Sequence, residues 1–454
     1  MIEGLRRWGH GRTKWAVVGL GLLVGARRLW PERSLATQGP AALWDDGSAL
    51  LGAMFLFLAA AGLGRWVTRK LGVDSLSLTD AEDTVFSLAF GFGALSMAFF
   101  ALGCLGWLTP NSVLVAAGFS LLVFHQEWGL WAKASLRPLQ GVMGRWGETK
   151  ILAKASMIGV GILTLLSALS TLTPAWSYDA LMYHLPAPRE FLEAGSFILL
   201  PEMWQANGPM GVELLYAFGL ALGSPSIARL THLSFAVMLV LSSYTLAQRV
   251  LPPKSSRLAA LMLVGIPVFP VWGSIANIDM AWALYEVLGL YAIVLWLSSS
   301  RSQWLRFSAV SIGLAASTKY LGLAAALVVG LLIAGRLLFQ KHTPWPELAG
   351  AGALALIVGS PWYLLNLFRA GNPVYPFVWG GPGWDKERLS YLMAYLGSFG
   401  GPYALWSLPL VPIRLFTQRE YFTTFLSSIE FPSPLFLAAL ASPFLRLPRI
   451  LRWL

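Results

Sequence analysis

Charge and cysteine are what this chain has least of. Of its 454 residues only 12% are charged against 56% hydrophobic, and a mean hydropathy of +0.62 leaves too little polar surface to cover a water-soluble core. The one cysteine, Cys104, sits inside an apolar run, which excludes an intramolecular disulfide and a cysteine-based metal site. No GxxxxGKS/T, GxGxxG, HExxH or GxSxG pattern occurs either. A P-loop ATPase, a dinucleotide enzyme, a zincin and an α/β-hydrolase drop out of the first rank, so any chemistry must draw on the substrate itself or on a gradient.

What is abundant is long apolar sequence, and it predicts an all-α, polytopic transmembrane helix bundle. Candidate spans lie near 49–64, 84–107, 111–124, 156–173, 228–247, 257–272, 280–297, 307–317, 321–338 and 347–367. They are judged against the roughly 20 residues that about 30 Å of hydrocarbon demands. Further apolar stretches at 15–30, 400–413 and 433–445 bring the expectation to about a dozen spans. The N-terminus has basic residues before a short apolar run but no small-residue cleavage site, so it is expected to be retained. Three regions follow: 1–150 with about four spans and a basic loop, a membrane core over 151–380, and a C-terminal membrane region over 381–454.

The net charge of +11 does not describe a nucleic-acid binder, because the cations alternate along the chain. Lys133, Arg137, Arg145, Lys150 and Lys154 precede the span at 156; Arg249, Lys254 and Arg257, then Arg301 and Arg306, then Arg336, Lys341 and His342 follow later spans. Every second loop is basic, the pattern of cytoplasmic loops. The intervening loops, 174–226 and the short turn at Asp279, are then external. Arg27, Arg28 and Arg33 do not fit this alternation, and the side of the N-terminus stays open.

The stretch 174–226 is the place for chemistry. It holds Asp179, Glu190, Glu193, Glu202 and Glu213 against the single Arg189. Asp179 stands a few residues beyond a span, within reach of a lipid head group, where it serves either as a base or as the N-cap of a short helix. Tyr183 and His184 follow, and a histidine beside aromatics is more often structural than a ligand. Arg189 and Glu190 read equally well as a surface ion pair. The later segment WQANGPMGVELLYAFGLALG has too few apolar residues to cross and is expected to lie on the bilayer surface.

Two more features belong with it. Asp279 opens a span, where a carboxylate also complements the helix dipole. Glu286 lies two turns deeper on the same face, an expensive position that marks a functional hypothesis unless Arg229 or Arg369 neutralises it. Lys319 in GLAASTKYLGL falls on the external side against the charge rule, placed to hold a phosphate or to snorkel from a helix end.

In order and sidedness, SYDALMYHLP with Asp179, NGPMGVELLYAFGLALG, NIDMAWALYEVLGLY with Asp279, GLAASTKYLG with Lys319 and NPVYPF at 372–377 resemble the GT-C superfamily of membrane glycosyltransferases. The similarity is to the protein mannosyltransferase and aminoarabinose transferase branch, over roughly 155–380. One departure is that Ala180 follows Asp179 where an acidic pair is common. The resemblance implies transfer of a sugar from a polyprenyl-phosphate donor to a lipid, glycan or protein acceptor on the outer side of a membrane, bacterial inner membrane being the expectation, with the lipid tail among the spans. Its reaction needs a base for the acceptor hydroxyl and a cation for the departing phosphate. Asp179 is the implied base, and Lys319, then Arg189, the implied phosphate partner. Asp279 would position the acceptor or help a divalent cation, His184 and Tyr183 would touch substrate, and Glu286 would support the site. No metal ligands are assigned. The alternatives are an amphiphile transporter or flippase, with Glu286 as a coupling-proton site, and a non-catalytic assembly subunit of the same fold.

Overall fold

The computed structural model describes residues 40–264, 268–339, 344–398, 407 and 410–418. The stretches at 15–30 and 433–445, most of 400–413, Lys341 and His342 lie outside the described residues. Within them every element is helical and no strand is present. Helix α1 spans Pro40–Lys70, α2 Asp80–Cys104, α3 Pro110–Val123, α4 His125–Gly144 and α5 Ile151–Thr171. After a wide turn at Ala180–His184 come α6 (Pro186–Ala194), α7 (Glu213–Ala221), α8 (Pro225–Val250), α9 (Pro253–Val264) and α10 (Val268–Gly273). The chain continues through α11 (Asp279–Ser299), α12 (Ser302–Thr318), α13 (Gly322–Leu337), α14 (Trp345–Gly359), α15 (Pro361–Ala370), α16 (Lys386–Ser398) and α17 (Val411–Thr417).

Local chemistry sets many of these starts. Thr79 and Glu82 form a reciprocal capping box at the head of α2, Thr109 and Ser112 do the same for α3, and proline occupies the first turn of α3, α6, α8 and α15, where its missing N–H costs nothing. Close packing does the rest. A Cβ at Gly91 would fall 1.8 Å from the Ala60 carbonyl oxygen, so α1 and α2 cross at a contact only small residues allow. One hydrophobic core runs from Ala49 in α1 to Trp362 in α15, so the N-terminal helices pack directly on those that carry the site.

Five helices, within α1, α2, α5, α8 and α11, are long and apolar enough to cross a membrane, or seven spans if two bent pairs each count as one. These make an integral membrane protein; the count is of the described residues, and some of the dozen crossings expected from hydropathy lie outside them. The pair α3 and α4 bends by 76° and α14 and α15 by 52°. Residues 125–144, expected to be a loop, are therefore a helix turned away from its predecessor, with Lys133 and Arg137 on it.

The sharpest difference concerns α7. Expected on a bilayer surface, it is buried on nearly every side, from Glu213 through Gly219, and Phe218 stacks on Phe55 of α1 at 5.8 Å. Its apolar residues face protein on all sides, which composition alone does not distinguish from facing lipid.

The basic segments gather at one end of the bundle. Arg249 reaches Glu82 and Ser77, Arg306 reaches Leu71, and Arg336 reaches Trp296 and Leu297. Asp279 begins the same helix that carries Tyr291 at that end, about 18 Å of helix rise away.

Candidate functional site

At the other end, three separate pieces of chain are tied together by an arginine that the sequence did not single out for this purpose. Arg229 in α8 is buried and has no carboxylate partner among the described residues; it donates instead to the Ser170 carbonyl (2.6 Å) and the Thr173 carbonyl at the end of α5, and to the Ser274 carbonyl (2.9 Å) ahead of α11. A cation is well placed against the unsatisfied carbonyls that close a helix. The effect is to fix the segment leading to Asp179 beside the segment leading to Asp279, although they are 100 positions apart.

His232, one turn from Arg229, completes the clamp. Its Nδ1 meets the Ile275 carbonyl at 2.8 Å, and its Nε2 accepts the Met280 N–H at 3.2 Å. That pairing requires a neutral ring protonated on Nδ1, a tautomer assigned from its partners. Tyr216 donates to the Asn277 carbonyl and binds α7 to the same turn. The head of α11 is thus held from three sides.

Lys319 closes the site from a third direction. It ends α12 in an extended conformation, and the chain folds back so tightly that a Cβ at Gly322 would lie 2.3 Å from the Ala315 carbonyl oxygen. Only glycine fits there. The turn is also held by its neighbours: Gly211 N–H donates to the Ser317 carbonyl at 2.9 Å, and Asn366 bridges the Asn207 carbonyl (2.6 Å) and the Tyr320 hydroxyl (3.0 Å). Tyr320 in turn donates to the Tyr375 carbonyl at 3.0 Å, so the NGPMG and NPVYPF segments both rest on the lysine turn.

The resulting charges meet. Lys319 Nζ lies 3.0 Å from Asp279 Oδ1 and 5.3 Å from the centre of the Trp282 ring, with the lysine 38% and the aspartate 36% exposed. Asp179 is half-buried just beyond α5. Its burial pushes the carboxyl above the ordinary carboxylate range, the charges of His184 and Lys319 pull it down, and that of Asp279 pushes it up. Both aspartates and the lysine therefore act on one another. Asp179 caps nothing: it is itself helical and makes no capping hydrogen bond, so the N-cap alternative fails.

Behind Asp179 lies a pair that sequence reasoning did not assemble. His184 Nδ1 is 2.8 Å from Glu213 Oε1, both side chains are buried, and the Tyr183 ring sits 4.1 Å from the imidazole. Burial, then the charges of Asp179, Glu213 and Asp279, raise the Tyr183 hydroxyl, which stays neutral. Glu213 had counted only as one of several external acids, and nothing in its spacing 29 residues from His184 announced the pairing.

Two candidates stand apart. Arg189 is exposed on α6, with no ion pair to Glu190 among the described residues. Glu286 is half-buried four residues after Trp282, and neither arginine proposed to neutralise it does so: Arg229 is used as above, and Arg369 binds Asn366 and the Ile198 carbonyl. Among the described residues no group of three or more His, Cys, Asp or Glu side chains is arranged to hold a metal ion. Asp279, one of whose two implied roles was to help a divalent cation, is paired with the lysine.

The end of the helical membrane bundle away from its basic segments thus carries Asp179, Asp279 and Lys319. Residues 207–364 match the family model described as dolichyl-phosphate-mannose-protein mannosyltransferase, a domain of the GT-C superfamily. The match covers about a third of the chain and likens that part to a GT-C-type membrane glycosyltransferase domain. It includes Glu213, Arg229, Asp279, Glu286 and Lys319 and begins after Asp179 and His184. No curated protein and no solved structure matches the chain.

Proposed function

We propose that this protein transfers a sugar from a polyprenyl-phosphate donor to an acceptor on the non-cytoplasmic side of its membrane, at the end of the bundle where Asp179, Asp279 and Lys319 meet. Mannose is the first donor sugar to try, because the matched family is described by dolichyl-phosphate mannose. The observation that carries the reading is the half-exposed Lys319–Asp279 pair at 3.0 Å with Asp179 electrostatically coupled to both. The non-cytoplasmic assignment is supported by the basic segments collected at the opposite end, and a bacterial inner membrane is the setting we favour.

The chemistry follows from these groups. A polyprenyl phosphate presents its anomeric carbon near the interface with phosphate as the leaving group. Lys319 exchanges its aspartate partner for that phosphate and stabilises the charge left as the anomeric bond breaks. Asp179 takes the proton from the acceptor hydroxyl while that oxygen attacks, giving inversion in a single displacement. Asp279 holds Lys319 until donor arrives and then faces the acceptor. Tyr183 and His184 line the acid side.

The test uses purified full-length protein in nanodiscs with a short-chain polyprenyl-phosphate mannose, following release of polyprenyl phosphate. Asp179→Asn should lower release by roughly a hundredfold while donor binding persists. Undiminished release would show that the base is another residue.

A further inference from the structure

Helix α4 carries different side chains on three sides, and one of those sides faces protein. Glu127 reaches Arg65 at 3.2 Å and also Arg69, Trp131 Nε1 donates to the Thr84 carbonyl at 3.0 Å, and the Ser135 and Thr84 hydroxyls meet at 3.2 Å. These residues are four apart and share one face, which packs on the ends of α1 and α2. It is the end at which Glu82 holds Arg249. At about 100° per residue, Leu136, Leu139 and Met143 fall together on a second face, and Gln126, Lys133 and Gln140 on a third. The second face is bare: Leu136 is 52%, Leu139 60% and Met143 76% exposed. Leu130 breaks the pattern from the edge of the third face.

The bend between α3 and α4 shows what the bare face meets. Helix α3 has no charged residue and exposes Val115, Phe119 and Leu122, as a segment against lipid does. Helix α4 leaves it at 76°, and α5 is again apolar and long enough to cross. A helix running through the membrane is thus followed by one running along its surface and by a second that runs back. An amphipathic helix so placed sinks its apolar face into the boundary between head groups and acyl chains.

Cations stand where the apolar stripe ends. Arg145 closes α4, Lys150 precedes α5, and Lys154 Nζ lies 5.6 Å from the centre of the Trp146 ring. An indole is at home at this level of a membrane. Arg145 and Lys150 are exposed, and no ion pair among the described residues involves either. From 125 to 154 five lysines and arginines face two acids. Arg137 is paired with Asp80 and Glu127 with the α1 arginines, which leaves four cations against Glu148.

We propose that α4 docks on anionic phospholipid in the leaflet at the basic end of the bundle: Leu136, Leu139 and Met143 enter the acyl boundary, and Arg145, Lys150 and Lys154 hold phosphate head groups. Charge selects the kind of lipid. A zwitterionic surface offers these cations no net counter-charge, whereas an anionic one strengthens binding about fivefold for each cation near it. Lys133 and Gln140 stay in water on the third face.

The test uses the full-length Cys104→Ser protein in nanodiscs of phosphatidylcholine mixed with phosphatidylglycerol. Nitroxide labels on Leu139→Cys and Met143→Cys should be reached by oxygen and shielded from a water-soluble nickel chelate, and a label on Gln140→Cys should show the reverse. Nickel access to the first two positions would mean that the stripe faces water and a soluble partner. Shielding from both reagents would mean a protein cover, such as a second copy of this chain. Either result overturns the proposal. Lipids retained through purification from the mixed membrane, identified by mass spectrometry, report on the head groups. Phosphatidylglycerol should be enriched over phosphatidylcholine, and the enrichment should fall about fivefold in Arg145→Gln or Lys150→Gln and further in the double variant. It should also fall in the wild type as salt shortens the Debye length from about 10 Å at 0.1 M to about 3 Å at 1 M. Equal retention of the two lipids by the wild type, or enrichment unchanged in the double variant, overturns the proposal. Both readouts stand whether or not the protein transfers sugar.

Discussion

Glu82 and Asp279 are both carboxylates near the start of a long helix, both paired with a cation, and they sit at opposite ends of the bundle. Glu82 is 1% exposed and accepts from Arg249 through two nitrogens at 2.7 and 2.6 Å, from the Thr79 N–H at 2.7 Å and from the Tyr291 hydroxyl. Asp279 is 36% exposed and holds one ammonium. The first carboxylate has no capacity left for a ligand. The second, with a single partner and more than a third exposed, can exchange that partner at little cost; Ser177 Oγ, His184 Nε2 and Trp282 Nε1 on the segments around it are buried without a hydrogen bond, as are Arg65 Nε and Glu127 Oε2 near the other end. Glu82, fully satisfied, holds helices together, whereas Asp279, held by one exposed cation, is free to change partner.

The comparison breaks most visibly under truncation. Glu82→Ala leaves the buried Tyr291 hydroxyl without its acceptor and takes the partner from the partly exposed Arg249, which should cost about 1–3 kcal/mol, read as a fall in the thermal midpoint in detergent. Asp279→Ala removes an exposed pair and should cost no more than about 1 kcal/mol. Equal losses would mean that both ends are structural.

Asp179→Asn tests the working end with chemistry and stability together. Transfer should fall by roughly a hundredfold. Because burial raises the Asp179 carboxyl, the acid limb of wild-type transfer should lie above the ordinary aspartate value of about 3.9, and activity should vanish as pH drops through it. The stability sign is opposite. A carboxyl whose folded value exceeds its unfolded one contributes stability below the unfolded value, and that contribution is lost as pH rises through the folded value. At neutral pH Asp179→Asn should therefore keep or raise the thermal midpoint, and a fall would recast Asp179 as a structural residue.

Lys319→Ala should weaken donor binding by about tenfold to a hundredfold, the worth of one hydrogen bond between charged groups, with a smaller effect on stability. Tight binding by this variant, measured with polyprenyl phosphate itself, would remove the lysine from the phosphate site. Glu286→Gln is the smallest expected change and should leave most of the transfer. Loss of proton-linked lipid movement in that variant alone would favour a transporter.

Much of the site was legible in the sequence. Asp179, Asp279 and Lys319 each interrupt apolar sequence with a charge that has no reason to be there, and their order matched a known class. What ties them together was not legible. Arg229 acts through backbone carbonyls, which every residue carries, so no side-chain spacing foretells it. Glu213 and His184 meet only because α7 is buried, and an apolar stretch reads the same whether its neighbours are lipid tails or other helices. The bends were not legible for a related reason: hydropathy registers apolar length but not a 76° bend between α3 and α4.

The central claim is that phosphate leaves at Lys319 with Asp179 facing the sugar. A cryo-EM structure of the protein in nanodiscs with bound polyprenyl phosphate tests it most directly. The account predicts phosphate density within hydrogen-bonding distance, about 3 Å, of Lys319 Nζ, at the same end of the bundle as Asp179. Phosphate density among Arg249, Arg306 and Arg336 at the opposite end, with the Lys319–Asp279 pair intact, would contradict it.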